Sequence, residues 1–178
     1  MRQFYNDERT MKKLTMMLVT AAGLSGCGEM FPQSANEMRE MTSSPLVARS
    51  SYTINRSAGA VAASMRQLSA KCLNRTTQSS QVYRHGAYGP QSITFASRWQ
   101  TSVQSNGGRT ELAMRLIPIK GGVNEPEEGY IFFVVDAVPS GSATDVSVFS
   151  GSVGAGRFNA EIIDWLEGQR SSCPEMPR

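Results

Sequence analysis

The chain has 178 residues, 40% of them hydrophobic and 19% charged, with a formal net charge of +3. Arg2, Arg9, Lys12 and Lys13 outweigh Asp7 and Glu8 near the start, so the remainder is close to neutral, which argues against nucleic acid as a partner. The length suits one domain with a tether, and a single histidine with three cysteines leaves few ways to assemble a catalytic or metal centre.

Lys12 and Lys13 precede a weakly apolar run, Leu14 to Leu24, too short to cross a hydrocarbon core of about 30 Å as a helix. Leu24-Ser25-Gly26-Cys27 follows directly. This segment resembles the signal peptide of a bacterial lipoprotein, with Leu-Ser-Gly-Cys in the place of the lipobox. The resemblance implies that residues 1–26 are a signal peptide and that the Cys27 thiol receives a diacylglyceryl group and becomes the mature N-terminus. Gly28, where an Asp would favour the inner membrane, implies an outer-membrane anchor with the domain facing the periplasm. Asp7, Glu8 and Arg9 sit poorly ahead of the positive stretch. Translation is therefore expected to begin at Met11, with residues 1–10 outside the fold.

Assigning Cys27 to lipid leaves Cys72 and Cys173. In the oxidising periplasm that the resemblance implies, they read as one disulfide; two separate buried thiols are the alternative.

Residues 27–50 read as a lipidated flexible tether. They hold Pro32, Pro45 and several Ser and Thr without a sustained apolar period, and Met38 and Met41 account for one helical turn at most. Such a segment would let the domain, residues 51–178, stand clear of the membrane. Within it, Ser51 to Arg56 alternates as a short strand. Ser57 to Leu73 is predicted helical, because Val61, Met65, Leu68 and Cys72 share one face, with Ser57 as N-cap and Asn74 ending it in a left-handed conformation.

A short strand is expected at Gln81 to Ala87 and a stronger one at Gln91 to Gln104. The turn Asn106-Gly107-Gly108 leads into Arg109 to Lys120, whose Pro118 suggests an edge at its far end. A polar loop, Gly121 to Gly129, precedes the near-continuous apolar run Tyr130 to Val138, which reads as a strand buried on both faces. Thr144 to Ser150 returns as a strand. A last helix, Arg157 to Gln169, carries the stripe Phe158, Ile162, Trp165 and Leu166. The order predicts an α+β, two-layer domain: a curved antiparallel sheet of about five to six strands with two helices, similar in outline to the helix-grip folds.

Chemistry-bearing clusters are sparse. His85 lies in a Gly- and Pro-punctuated stretch and reads as an exposed loop residue, with no nucleophile elbow elsewhere. Glu125, Glu127 and Glu128 lack calcium-loop spacing, so no metal site and no cofactor are expected. The glycines of Ser150 to Gly156 follow neither phosphate-loop pattern, which leaves a flexible connection. Arg84 with Tyr83 and Tyr88, and Arg98 beside Trp99, are ordinary aromatic-basic neighbours.

The expected function is therefore non-enzymatic: an outer-membrane-anchored accessory or assembly factor that binds an envelope protein or peptidoglycan. The alternative is a carrier of a lipid or other hydrophobic ligand in a helix-grip cavity, for which Phe95, Trp99, Met114, Phe132, Phe133 and Trp165 would supply either the lining or simply a filled core.

Overall fold

The computed structural model describes residues 31–84, 90–120, 126–151 and 155–177, and these fall in one compact unit that begins at Phe31. A six-stranded antiparallel sheet, ordered β1-β6-β5-β4-β3-β2, curls into a half-barrel. The elements run α1 (Ala35–Glu40), β1 (Val47–Ile54), α2 (Ala58–Leu68), β2 (Arg75–Arg84), β3 (Pro90–Asn106), β4 (Arg109–Lys120), β5 (Tyr130–Ser140), β6 (Ala143–Gly151) and α3 (Ala155–Glu167). The α+β class and the curved antiparallel sheet are those expected, and a third, short helix is added to them.

The inner face of the sheet packs against α2 and α3. Val61, Met65, Leu68 and Cys72 bury the predicted face of α2, and Phe158, Ile162, Trp165 and Leu166 that of α3. Between them lie Leu112, Met114, Phe133, Val135, Val146 and Val148 from the central strands. Full burial of each such side chain favours folding by roughly 1.5–3 kcal/mol. Phe133 and Phe158 meet edge to face with centroids 5.0 Å apart, which joins β5 to α3.

The helix ends differ in detail from expectation. Ser57 does N-cap α2, its hydroxyl accepting from the Ala60 N–H. Asn74, however, has φ −81° and is not left-handed. A π-turn, Ser69–Leu73, extends α2, and Asn74 closes it through its side chain, with Nδ2 donating to the Ser69 carbonyl and Oδ1 accepting from the Thr101 N–H. The last helix ends at Glu167, before Gln169, because Gly168 takes φ +80° and turns the chain. Arg56 then donates to the Leu166 carbonyl at that C-terminus and to Ser64 Oγ at 3.1 Å, linking the end of β1 to both long helices.

The flexible tether of residues 27–50 is the main correction. From Phe31 onward this stretch is part of the domain. Ser34 N-caps α1 by accepting from the Glu37 N–H, while Glu37 accepts in return from the Ser34 hydroxyl and the Gln33 N–H. Met38, Val47, Ala113, Ile131, Val134 and Phe149 form a second apolar cluster on the outer face of the sheet. That is why β5 is apolar from Tyr130 to Val138 except at Asp136: both of its faces are covered. β1 accordingly starts at Val47, which enters this cluster, rather than at Ser51.

β2 also begins earlier than expected, at Arg75 rather than Gln81, and pairs with β3 from Arg75↔Trp99 to Arg84↔Pro90. Its Thr, Ser and Gln residues give no apolar alternation because it is an outer strand with a solvated surface. Pro118 sits where its sequence position suggested. β4 pairs with β5 only as far as Leu116↔Tyr130, and its pairing with β3 is bulged beside Pro118.

Candidate functional site

The two long helices cover only part of the inner face. Over the β2–β3 side, the space is bounded instead by the C-terminal tail. Cys72 and Cys173 form a disulfide with Cα atoms 5.2 Å apart, which brings residue 173 back to the end of α2. Beyond it, Arg75 Nη2 donates to the Pro174 carbonyl at 3.0 Å, and the Glu175 N–H donates to Glu161 Oε2 at 2.7 Å. Met176 packs on the inner core. The tail is thus fixed as a strap by a covalent bond, these two hydrogen bonds, an exposed ion pair between Glu175 and Arg157, and an apolar contact.

Between strap and sheet lies a groove of about 890 Å³, lined among others by Thr77 and Ser79 of β2, Phe95 and Trp99 of β3, Phe132 of β5 and Met176 of the tail. Alternation puts these strand residues on one face. A bulge in β5, where Met114↔Phe133 is followed by Arg115↔Ile131, turns Phe132 to the same side as Phe133. Phe132 then meets Trp99 edge to face at 5.4 Å. Trp99 is buried, and its indole N–H donates to Thr77 Oγ1 at 2.9 Å, so the ring is held rigidly by β2. The result is an aromatic floor with a hydroxyl-bearing rim.

Electrostatics concentrate away from this floor. Glu161 is held below the usual carboxylate range chiefly by the Glu175 N–H, then by Arg157 and Arg170. On the outer face, Arg39 is held charged more firmly than an ordinary guanidinium by its hydrogen bonds to Asp136 and Glu111. Both arrangements fasten elements together: the strap to α3, and α1 to the sheet.

The structure divides the predicted site residues. The disulfide pair meets. Of the six residues expected either to line a cavity or to fill the core, Phe95, Trp99 and Phe132 line the groove, whereas Met114, Phe133 and Trp165 belong to the packed core. Trp99 is buried while its neighbour Arg98 is exposed, and alternation sends the two to opposite faces. Glu127 and Glu128 are exposed turn residues. Cys27, His85, Tyr88 and Glu125 lie outside the described residues, as do the side chains of Tyr83 and Arg84. Among the described residues, no group of three His, Cys, Asp or Glu is placed to hold a metal ion, and no helix is long and apolar enough to cross a membrane. Sequence reasoning did not find the strap's contacts, because Arg75–Pro174 and Glu161–Glu175 join residues that the fold alone makes neighbours.

Fold and groove together define an α+β domain whose curled antiparallel sheet grips two helices and leaves the β2–β3 part of its inner face open beneath a C-terminal strap. No protein family and no curated protein matches the chain. Among solved structures it is similar to protein CV1439 from Chromobacterium violaceum, at 14% identity and a TM-score of 0.34, over 69% of this chain and 96% of that one. A likeness that slight assigns neither fold nor function.

Proposed function

We propose that this chain is a non-enzymatic lipoprotein of the bacterial envelope, anchored in the outer membrane through Cys27, whose groove holds a protein or cell-wall partner in the periplasm. The groove is the observation that carries the reading. Its floor of Phe95, Trp99 and Phe132 and its rim of Thr77 and Ser79 combine apolar area with hydrogen-bonding groups. That combination suits a peptide segment or a peptidoglycan strand, each of which has apolar faces and regularly spaced polar groups. The lipobox-like Leu24-Ser25-Gly26-Cys27 supports the anchor.

A hydrophobic ligand is the second reading, favoured by the same aromatic floor. It has the groove as its place, since the space between sheet and helices is filled by Met114, Phe133 and Phe158.

A photo-crosslinking residue at Ser79, compared in cells with one at the distant hairpin residue Asn106, tests the proposal. A discrete adduct at Ser79 alone, identified as an envelope protein or a glycan strand, is the expected result. Equal labelling at both positions, or none at either, overturns it. Native mass spectrometry of the purified protein checks the second reading: a co-purifying lipid mass would favour the carrier.

A further inference from the structure

Resting on lipidation at Cys27, we propose that the domain has no free tether and is held with its Phe31–Tyr130 corner against the phospholipid headgroups of the bilayer that carries the anchor. Only Gly28, Glu29 and Met30 separate Cys27 from Phe31. Fully extended, that span reaches roughly 14 Å. Phe31 itself is fixed in the domain. Its ring lies 4.6 Å from that of Tyr130, the next residue's carbonyl (Pro32) accepts from the Ile131 N–H at 2.7 Å, and the Gln33 carbonyl accepts from Arg115 Nη2 at 2.6 Å.

The reach decides the geometry. A folded unit of this length has a radius of gyration of roughly 15 Å, so a 14 Å spacer keeps the attachment corner at the bilayer and the opposite side away from it. The β3–β4 hairpin at Gly107 lies on β4's other end, roughly 26 Å along the strand from Arg115, beyond that reach. The corner also has suitable chemistry. Phe31 and Tyr130 are half-buried aromatic rings of the kind that settle at headgroup depth. Glu127 and Glu128 are exposed beside them, and Arg115 Nη1 donates to the Gly129 carbonyl at 3.1 Å within the same turn. Two carboxylates favour the ammonium of a zwitterionic phosphatidylethanolamine surface over an anionic one. Tyr130 lines the groove as well, so that end of the groove faces the membrane.

Hydrogen exchange read by mass spectrometry tests this on the lipidated protein in phosphatidylethanolamine–phosphatidylcholine vesicles, beside unlipidated Cys27→Ala. Slower exchange is expected in the peptides covering 31–34 and 126–131 of the anchored form, with none at the hairpin 104–110. Inserting a Gly-Ser spacer of about twenty residues between Met30 and Phe31 should abolish that protection while the acyl mass remains. Unchanged exchange at the corner in a protein whose intact mass carries lipid overturns the apposition and leaves the anchor standing. A membrane-extracted protein with no lipid mass on Cys27 overturns both.

Discussion

Arg39 and Asp136 meet across most of the chain: Arg39 Nε donates to Oδ2 at 2.8 Å and Nη2 to Oδ1 at 2.7 Å, a two-point pairing that fastens α1 to β5. Glu111 on β4 takes a further bond from the same guanidinium. The side chains of Asp136 and Glu111 are only 10% and 19% exposed, so neither carboxylate can be rescued fully by water. Arg39→Ala leaves Glu111 unpaired and Asp136 with only the looser Arg109 pairing at 3.9 Å, under an emptied helix face, and a loss of about 3 kcal/mol in urea unfolding is expected. Arg39→Lys keeps the charge but not the fork, and should recover only part of that loss. Wild-type stability in Arg39→Ala would mean that α1 is not fastened by this contact.

The same contact explains what was and was not legible beforehand. The faces of α2 and α3 were, because Val61-Met65-Leu68-Cys72 and Phe158-Ile162-Trp165-Leu166 repeat at helical spacing over several turns. The Asn106-Gly107-Gly108 hairpin was legible for its turn chemistry. The segment 31–46 was not, since α1 is only six residues long and offers a single buried methionine, Met38. Two signals were present nonetheless. Ser34-Ala35-Asn36-Glu37 is a capping-box pattern, and the doubly apolar β5 required a cover on its second face. The groove was not legible beyond its cysteine pair, because the strap's hold on β2, Arg75 to the Pro174 carbonyl, joins residues 99 apart in sequence.

Gly129 occupies a position that no other residue fits. Its φ is +75°, and an added Cβ would overlap the Leu116 carbonyl oxygen and the Ile117 backbone. Gly129→Ala should therefore cost at least about 2 kcal/mol, combining backbone strain with displacement of β4 from β5. Gly107→Ala is the contrast: φ is +56° but the space is open, so only the left-handed conformation is penalised, by about 1 kcal/mol. Equal denaturation midpoints for the two variants would contradict the steric account.

The disulfide spans 101 residues of sequence, and closing a loop of that size is worth about 4–5 kcal/mol in the chain-entropy model. Cys173→Ser, or reduction of the wild type, should lower stability by nearly that amount. It should also free the Glu175 and Met176 amides to exchange, while the buried faces of α2 and α3 stay protected under native conditions. Global loss of protection on reduction would place the bond in the core's integrity rather than in the strap's position.

Acid should loosen the strap by a separate route. Glu161 accepts from the Glu175 N–H and pairs with Arg157 at 3.1 Å and Arg170 at 3.4 Å, and these contacts lower its pKa from the ordinary 4.5. A carboxyl whose folded pKa is depressed contributes its full stabilisation above the unfolded value and loses it as pH falls through the folded one. The strap's contact with α3 is thus intact at neutral pH and weakens below 4.5, the ordinary value. Arg157 also pairs with the Glu175 carboxylate at 3.1 Å, a second tie that is exposed and therefore weak. The disulfide does not titrate, so the strap stays close to the sheet while its grip slackens. The protection factor of the Glu175 amide, followed by NMR from neutral pH to about pH 3, should fall. In Glu161→Gln it should be low at every pH, because the amide oxygen is a weaker acceptor and both arginine pairings are gone. A Glu175 protection factor that stays constant across that range would show that the strap is held by the disulfide, the Arg75–Pro174 hydrogen bond and Met176 without Glu161, leaving the groove's width insensitive to acid.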